Sequence, residues 1–517
     1  MTGSQSPKHR VALLVVAIVA LPARCVAQEP ATKPAMVVSQ GRGKDDGDGS
    51  ATAPFRTVTR ALRAARETSR NRVVLEYGDY GAGETFPLEV PAGLELRGIG
   101  SGGTSLQVLT GVAVSLAASE SAEPTVLAGL TIVGAEIGVQ TCGAHPVLLR
   151  GVTIANCKTG IASKDGAATT IAATGLRLRE CGVGIEAQGL APITLQLVDS
   201  SFERCRVGLW LHAVDGGDPV AYAGPAPRHD LRLLRCTFFG CTQAGIERTG
   251  AVGKNTGPAY AIVDCTFQDN VIGIDLQRPS ADTPLDVLRT RFLGNSSFGL
   301  RVSGQLGDAA STSSITGCDF QWNGIGVHAT NAHVVYELRR CRFLDNVGNA
   351  MFLANFVTAP LTVRVADSLI AGNGGCGIYT MADGNQLAAR ITHCTIVQNG
   401  AAGVLRKTRH SGASTLEIRG CIVADNATDL ERVAATEVFT SLVGDGSATS
   451  ERGNLAGDPR FVSAASRDLR LRRDSPCIDR GDASSGAGSV DLAGRSRSGA
   501  PDLGALEAVP DPLLDRR

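Results

Sequence analysis

Glu247, Asp275, Arg301 and His328 recur at intervals of 26 to 28 residues, each directly after a glycine and an aliphatic residue. The shared context makes them rungs of one column. Two carboxylates about 5 Å apart repel, which raises the pKa of one and suits the pair to act as acid and nucleophile in glycoside cleavage. Arg301 is suited to grip a substrate carboxylate bidentately. Arg301 or His328 also suits the base role of a lyase. Trp210 and Tyr379 belong to the same column and have ring faces that match sugar rings, while His212 and Gln277 stand two residues beyond column members. The candidates are therefore Glu247, Asp275, Arg301 and His328 for catalysis, and Trp210, His212, Tyr379 and Gln277 for substrate binding.

The column exists because the chain repeats. A short phrase with a large apolar anchor returns at Ile132, Ile154, Leu178, Phe202, Phe238, Phe267, Phe292, Phe320, Phe343, Ile370, Ile396 and Val423. The spacing is 22 to 29 residues apart from one longer gap, the period of a solenoid in which each repeat is one coil. Three residues after the anchor stand Cys157, Cys181, Cys205 and Cys241, then Asn270, Asn295, Asn323, Asn346, Asn373, Asn399 and Asn426. Two residues before it, Cys236, Cys265, Cys318, Cys341, Cys394 and Cys421 recur, with Thr290 and Ser368 interrupting. Residues two apart on a strand share a face, so anchor and cysteine both point inward. In-register stacking predicts an asparagine ladder. The glycine that follows (Gly160, Gly184, Gly208, Gly299, Gly326) reads as a tight corner. Helical periodicity is missing from the repeats, and propeller blades need longer ones. The fold expected is an all-β, right-handed parallel β-helix of about 12 or more coils with a short N-terminal capping helix.

These columns resemble the right-handed parallel β-helix proteins of the pectate-lyase-like superfamily. The resemblance implies a scaffold shared by lyases, hydrolases, epimerases and adhesins. The stretch from Ala53, with Pro54-Phe55, Gly78-Asp79-Tyr80 and Glu84-Thr85-Phe86-Pro87, resembles a bacterial family of unknown function that begins such helices. The segments DPRF (458–461), SPCIDRG (475–481), DLAGR (491–495) and DLGALE (502–507) resemble the end segment of bacterial surface proteins with variable sorting anchors, although no anchor follows them.

The segments read as follows: 1–27 a signal peptide, 28–53 a flexible lead, 54–125 the cap helix and first coils, 126–432 the repeats, and 433–517 a C-terminal capping segment. Lys8, His9 and Arg10 precede an apolar run from Val11 to Leu21 and a small-residue site near Ala27, which predicts export to the periplasm, envelope or medium. The cap helix is expected from Pro54 to Thr68, with Pro54 at its first position and Phe55, Val58, Leu62 and Ala65 on one face. Zero net charge gives no reason to expect a nucleic-acid partner. No membrane span is expected in the mature chain, and the expected state is a monomer. Export permits disulfides between adjacent cysteines, but parallel Cβ vectors favour free stacked thiols.

Calcium is the one cofactor considered. Asp479, Asp491, Asp502 and Glu507 have the right oxygen chemistry, but carboxylates tying turns to Arg495 and to backbone donors is the preferred reading. Asp45 to Gly49 and Gly98 to Gly103 read as turns. A second column, Asp199, Arg235, Asp264, Arg289, Arg340, Asp367 and His393, reads as cross-strand charge pairing worth about 0.2–1 kcal/mol per pair. The insertion from Ala213 to Asp230 is placed to wall a groove beside Trp210. The function expected is a secreted carbohydrate-interacting protein, a polysaccharide lyase or glycoside hydrolase acting in a groove over the middle coils. The alternatives are an epimerase on the same groove, or a non-catalytic envelope or adhesive module. The partner is a polysaccharide or cell-surface glycan.

Overall fold

Alternating apolar residues, broken every few positions by a corner, form three short parallel strands per coil. The computed structural model describes residues 35–508, except 69, 118–122, 144–145, 164–168, 189–192, 213–229, 250–259, 278–283, 305–311, 332–334, 357–359, 384–385, 409–413, 449–451, 483–487 and 498. The expected signal peptide (1–27) and nearly all of the 213–230 insertion lie outside the described residues. The chain divides into two compact units, one ending at Val271 and one beginning at Ile272. Each is a parallel β-solenoid with three sheets. In the first unit one coil comprises Ile193–Val198, Ser201–Glu203 and Val207–His212. In the second a coil comprises Leu361–Ala366, Leu369–Ala371 and Ile378–Ala382. No helix among the described residues is long and apolar enough to cross a membrane.

The anchors lie inside, in register. Phe202 stacks on Phe238 at 4.5 Å and Phe238 on Phe267 at 4.8 Å. Phe292, Phe320 and Phe343 stack likewise at 4.6 and 4.7 Å in the second unit. Among the described residues the cysteines are free thiols. Cys394 and Cys421 show how the small inward column works. Each thiol donates to a carbonyl two residues back, and the Cys394 N–H meets Cys421 Sγ at 3.4 Å. Ser368 performs the same role with its hydroxyl toward the Cys341 N–H at 3.1 Å, which is why hydroxyl and thiol residues interchange there. Burial pushes the Cys318 and Cys394 thiols up, so they are unreactive.

The glycine column is not the corner. Gly208 lies within a strand, where a Cβ would come 2.5 Å from the Gly245 carbonyl oxygen and 2.8 Å from the Phe238 ring, so close packing excludes a side chain. The corners are made by left-handed residues one before the Cys or Asn: Asn156, Glu180 and Arg204 in the first unit, and Trp322, Asp345, Gln398 and Asp425 in the second. The charged column forms another left-handed corner (Asp199, Arg235, Asp264; Arg289, Arg340, Asp367, His393). Arg235 grips Asp199 there at 2.6 and 2.8 Å. That pair is exposed and contributes little.

The capping helix runs from Val58 to Thr68, four residues later than Pro54 suggests. Its start is set by long-range carboxylates. Glu84 accepts the Val58 and Thr59 N–H groups at 2.7 and 2.8 Å, and Thr57 Oγ1 accepts the Arg60 N–H. Asp45 accepts the Arg56 and Thr57 N–H groups, both at 2.9 Å. Val58, Ala61, Leu62 and Ala65 are buried. The expected lead is partly ordered, since Met36–Val38 pairs with Arg72–Leu75.

In the second unit the C-terminal segment lies along the side of the solenoid. Phe461, Leu469, Leu471, Cys477 and Leu503 cover Ala371, Val397, Ile422 and Ala424. Its carboxylates tie turns: Asp491 accepts the Arg495 and Glu507 N–H groups, and Asp502 accepts those of Asp479 and Ala508.

Candidate functional site

On the third sheet of each unit the aliphatic after the glycine points inward and the next residue outward. Ile185, Leu209 and Ile246 are at most 1% exposed. Their successors Glu186, Trp210 and Glu247 pair in register across three strands of the first unit. Thr159 Oγ1 donates to Glu186 Oε2 at 3.2 Å, and His212 Nε2 lies 3.8 Å from Glu186 Oε1, beyond hydrogen-bond distance. His212 and the Thr159 hydroxyl draw the Glu186 carboxyl below the usual carboxylate range, against the cost of burial. The Trp210 and His212 rings stack at 4.4 Å, and Trp210 Nε1 approaches Thr249 Oγ1 at 3.4 Å. The Arg206 guanidinium lies 5.5 Å from the Trp210 ring centre and donates to Gln243 Oε1 at 2.6 Å. Gln243 Nε2 then donates to Glu247 Oε2 at 2.6 Å. Glu247 is buried, while Glu186 and His212 are partly open.

In the second unit the outward column is Asp275, Arg301, His328, Phe352, Tyr379 and Leu405, in the register expected. Adjacent opposite charges on in-register strands pair. Arg301 Nε donates to Asp275 Oδ1 at 2.7 Å, Nη2 to Oδ2, and Gln277 Nε2 adds a bond to Oδ2 at 2.9 Å. The guanidinium fork is thus engaged by Asp275. His328 stacks on Phe352 at 5.0 Å and Phe352 on Tyr379 at 4.9 Å, with Phe298 tilted against His328. Burial first, then Arg301, pushes the His328 pKa down to about 4, so the imidazole is neutral at physiological pH.

Of the eight predicted residues, Trp210, His212 and Glu247 belong to the first unit. Asp275, Gln277, Arg301, His328 and Tyr379 belong to the second. Each is described among its own neighbours. Glu186 stands directly after Gly184 and Ile185, the sequence context that marks the column. Arg206 and Gln243 were missed because they lie in the turn before the strand, yet both stand two residues before the strand glycine, an offset readable in the sequence.

Residues 249–423 match the family described as right handed beta helix region. The chain folds as a parallel β-helix. Residues 41–201 of this β-helix protein match a family of unknown function, DUF1565. No curated protein matches it. Among solved structures it is similar to the mannuronan C-5 epimerase AlgE4 A-module of Azotobacter vinelandii, with 18% identity over 73% of this chain and 99% of that one, at a TM-score of 0.38. It is similar to the catalytic unit of the GH87 alpha-1,3-glucanase from Streptomyces thermodiastaticus strain HF3-3 at 14% identity, 75% and 70% coverage and a TM-score of 0.41. The third such structure, pectate lyase Pel9A, has 16% identity, 93% and 97% coverage and a TM-score of 0.30. The activities in those names are theirs.

Proposed function

We propose that this β-helix protein is an exported monomer that binds a polysaccharide along the outward face of its third sheets. The placement of aromatic side chains supports this reading. Aromatics make up only 4% of the chain, and six of them form the phenylalanine ladders inside the coils. Yet Trp210 in the first unit, and Phe298, Phe352 and Tyr379 in the second, stand outward on this sheet beside two histidines. The outward face of the first sheet carries instead charge ladders such as Glu337 with Arg364 and Glu417 with Arg419. Aromatic surface interleaved with amide and hydroxyl groups suits sugars, which alternate C–H faces with hydroxyls. In the second unit the rings stack on one another, so their edges and the Tyr379 hydroxyl meet the ligand. Asp275, Gln277, Arg301 and His328 there form a rigid polar floor.

Isothermal calorimetry against soluble neutral and uronate polysaccharides tests the reading. Trp210→Ala and Tyr379→Ala are each expected to weaken binding about tenfold, the scale of one lost aromatic contact. A folded protein that binds none of the panel, or variants that bind like the parent, would overturn it.

A further inference from the structure

In the first unit Glu186 and Glu247 stand on the outward face two strands apart, with Trp210 on the strand between them. Parallel strands lie about 4.8 Å apart, so the two backbone positions are roughly 9–10 Å apart. Inverting glycoside hydrolases hold their carboxyl groups about 6.5–9.5 Å apart, leaving room for a water, whereas retaining enzymes hold them at about 5 Å. That spacing lies near the upper end of the longer range and is well outside the shorter one.

The two carboxyl groups stand in different environments. Glu186 is partly open, and His212 and Thr159 favour its ionised form. Glu247 lies deeper, at 6% exposure, and Gln243 fixes its orientation. Trp210 lies between the two, where a sugar ring would meet it. Arg206 is engaged by Gln243 and Trp210. A uronate ring here would bring a second negative charge beside the ionised Glu186, so a neutral sugar fits better.

We propose that this row hydrolyses a neutral polysaccharide with inversion at the anomeric carbon, Glu186 acting as general base and Glu247 as general acid. The proposal rests on the carbohydrate reading above. Glu186 removes a proton from water as the water oxygen bonds to the anomeric carbon. The glycosidic C–O bond breaks on the opposite side, and Glu247 gives its proton to the departing oxygen. One water is consumed, and proton exchange with solvent resets both groups. His212 is a positioning residue for Glu186.

The experiment follows reducing ends released from soluble neutral glucans, galactans and mannans by the full exported chain, with binding to each measured in parallel. Proton NMR in the first minutes reads the anomeric configuration of the products. The expected result is turnover with inverted product. Glu186→Gln and Glu247→Gln are each expected to lose about 10³-fold in kcat while keeping the parent's affinity and melting temperature. Glu203→Gln, on the outward face of the second sheet, is expected to act like the parent. Retained configuration, or turnover that survives either Gln change, would overturn the assignment. A polysaccharide that binds but is not cleaved would overturn hydrolysis and leave the binding reading standing. Absence of binding across neutral and uronate polymers would overturn both. If a variant does not fold, the product configuration from the parent decides alone.

Discussion

Replacing Asn346 with alanine is expected to cost the second unit about 3–5 kcal/mol, a large share of the stability of any domain. The reason is the number of buried groups that one amide satisfies. Asn346 Oδ1 accepts the Asn323 N–H and Asn323 Nδ2, both at 3.0 Å. Its Nδ2 donates to the Phe320 carbonyl at 3.1 Å and to Asn373 Oδ1 at 2.7 Å. The same pattern runs from Asn295 to Asn426, where Asp429 Oδ1 takes the last amide at 3.0 Å. Alanine leaves buried donors on one side and buried acceptors on the other without partners, and each such group costs about 1–3 kcal/mol. Because each coil contacts only its neighbours, the damage centres on the coils of Asn323 and Asn373. Guanidinium unfolding followed by circular dichroism measures the loss, and amide exchange locates it. A change below about 1 kcal/mol would show that water repairs the ladder.

That ladder was legible because stacking in register turns a structural neighbour into a sequence column. The anchors, the thiols, the asparagines and the outward column from Asp275 to Tyr379 share this property, and all lie in the register read from the repeats. The corners were not legible, since a left-handed residue whose side chain faces solvent is constrained only in its backbone. Asn156, Glu180, Arg204 and Trp322 have nothing chemical in common, and the clue was the glycine at Gly240, Gly294 and Gly372 in the same column. The helix start was hidden for a different reason. Glu84 and Asp45 reach it from 25 and 11 residues away, while Pro54 points four residues too early and the local capping residue is Thr57. In the site, positions were readable and partners were not. A strand spacing near 4.8 Å brings Asp275 and Arg301 into a bidentate pair and sets His328, Phe352 and Tyr379 at ring-stacking distance. An open charged groove therefore becomes a packed face. Docking of the C-terminal segment had a signal that went unused: outward positions of the second sheet carry Arg179 and Glu203 early in the chain but Ala371, Val397 and Ala424 late in it.

Arg497→Met should loosen that docked segment by about 3–5 kcal/mol at neutral pH, the usual cost of removing one partner from a buried ion pair. Arg497 is 4% exposed and donates to Asp367 Oδ1 at 3.1 Å, to the Gly504 carbonyl at 3.0 Å, and to Glu507. Asp367 is 2% exposed, and burial raises its pKa and that of Glu507 even with the arginine present. Carboxyls with raised folded pKa values contribute stability below their unfolded pKa and lose it as pH rises through the folded value. Without Arg497 that loss is larger, so the variant's deficit is greatest at neutral pH and shrinks on acidification. His393 acts in the same direction on the comparison. It is fully buried against the Asp502 carbonyl, and burial followed by Arg497 holds its pKa down to about 4. Its contribution is present above the unfolded value of about 6.5 and is lost as pH falls through the folded one. Removing Arg497 relieves this acid penalty. Amide exchange across Phe461–Ser463 and Asp468–Leu471, at pH 7.5 and pH 5, reads the deficit as local opening. A deficit that grows on acidification would mean that neither the Asp367 and Glu507 carboxyls nor His393 governs the latch.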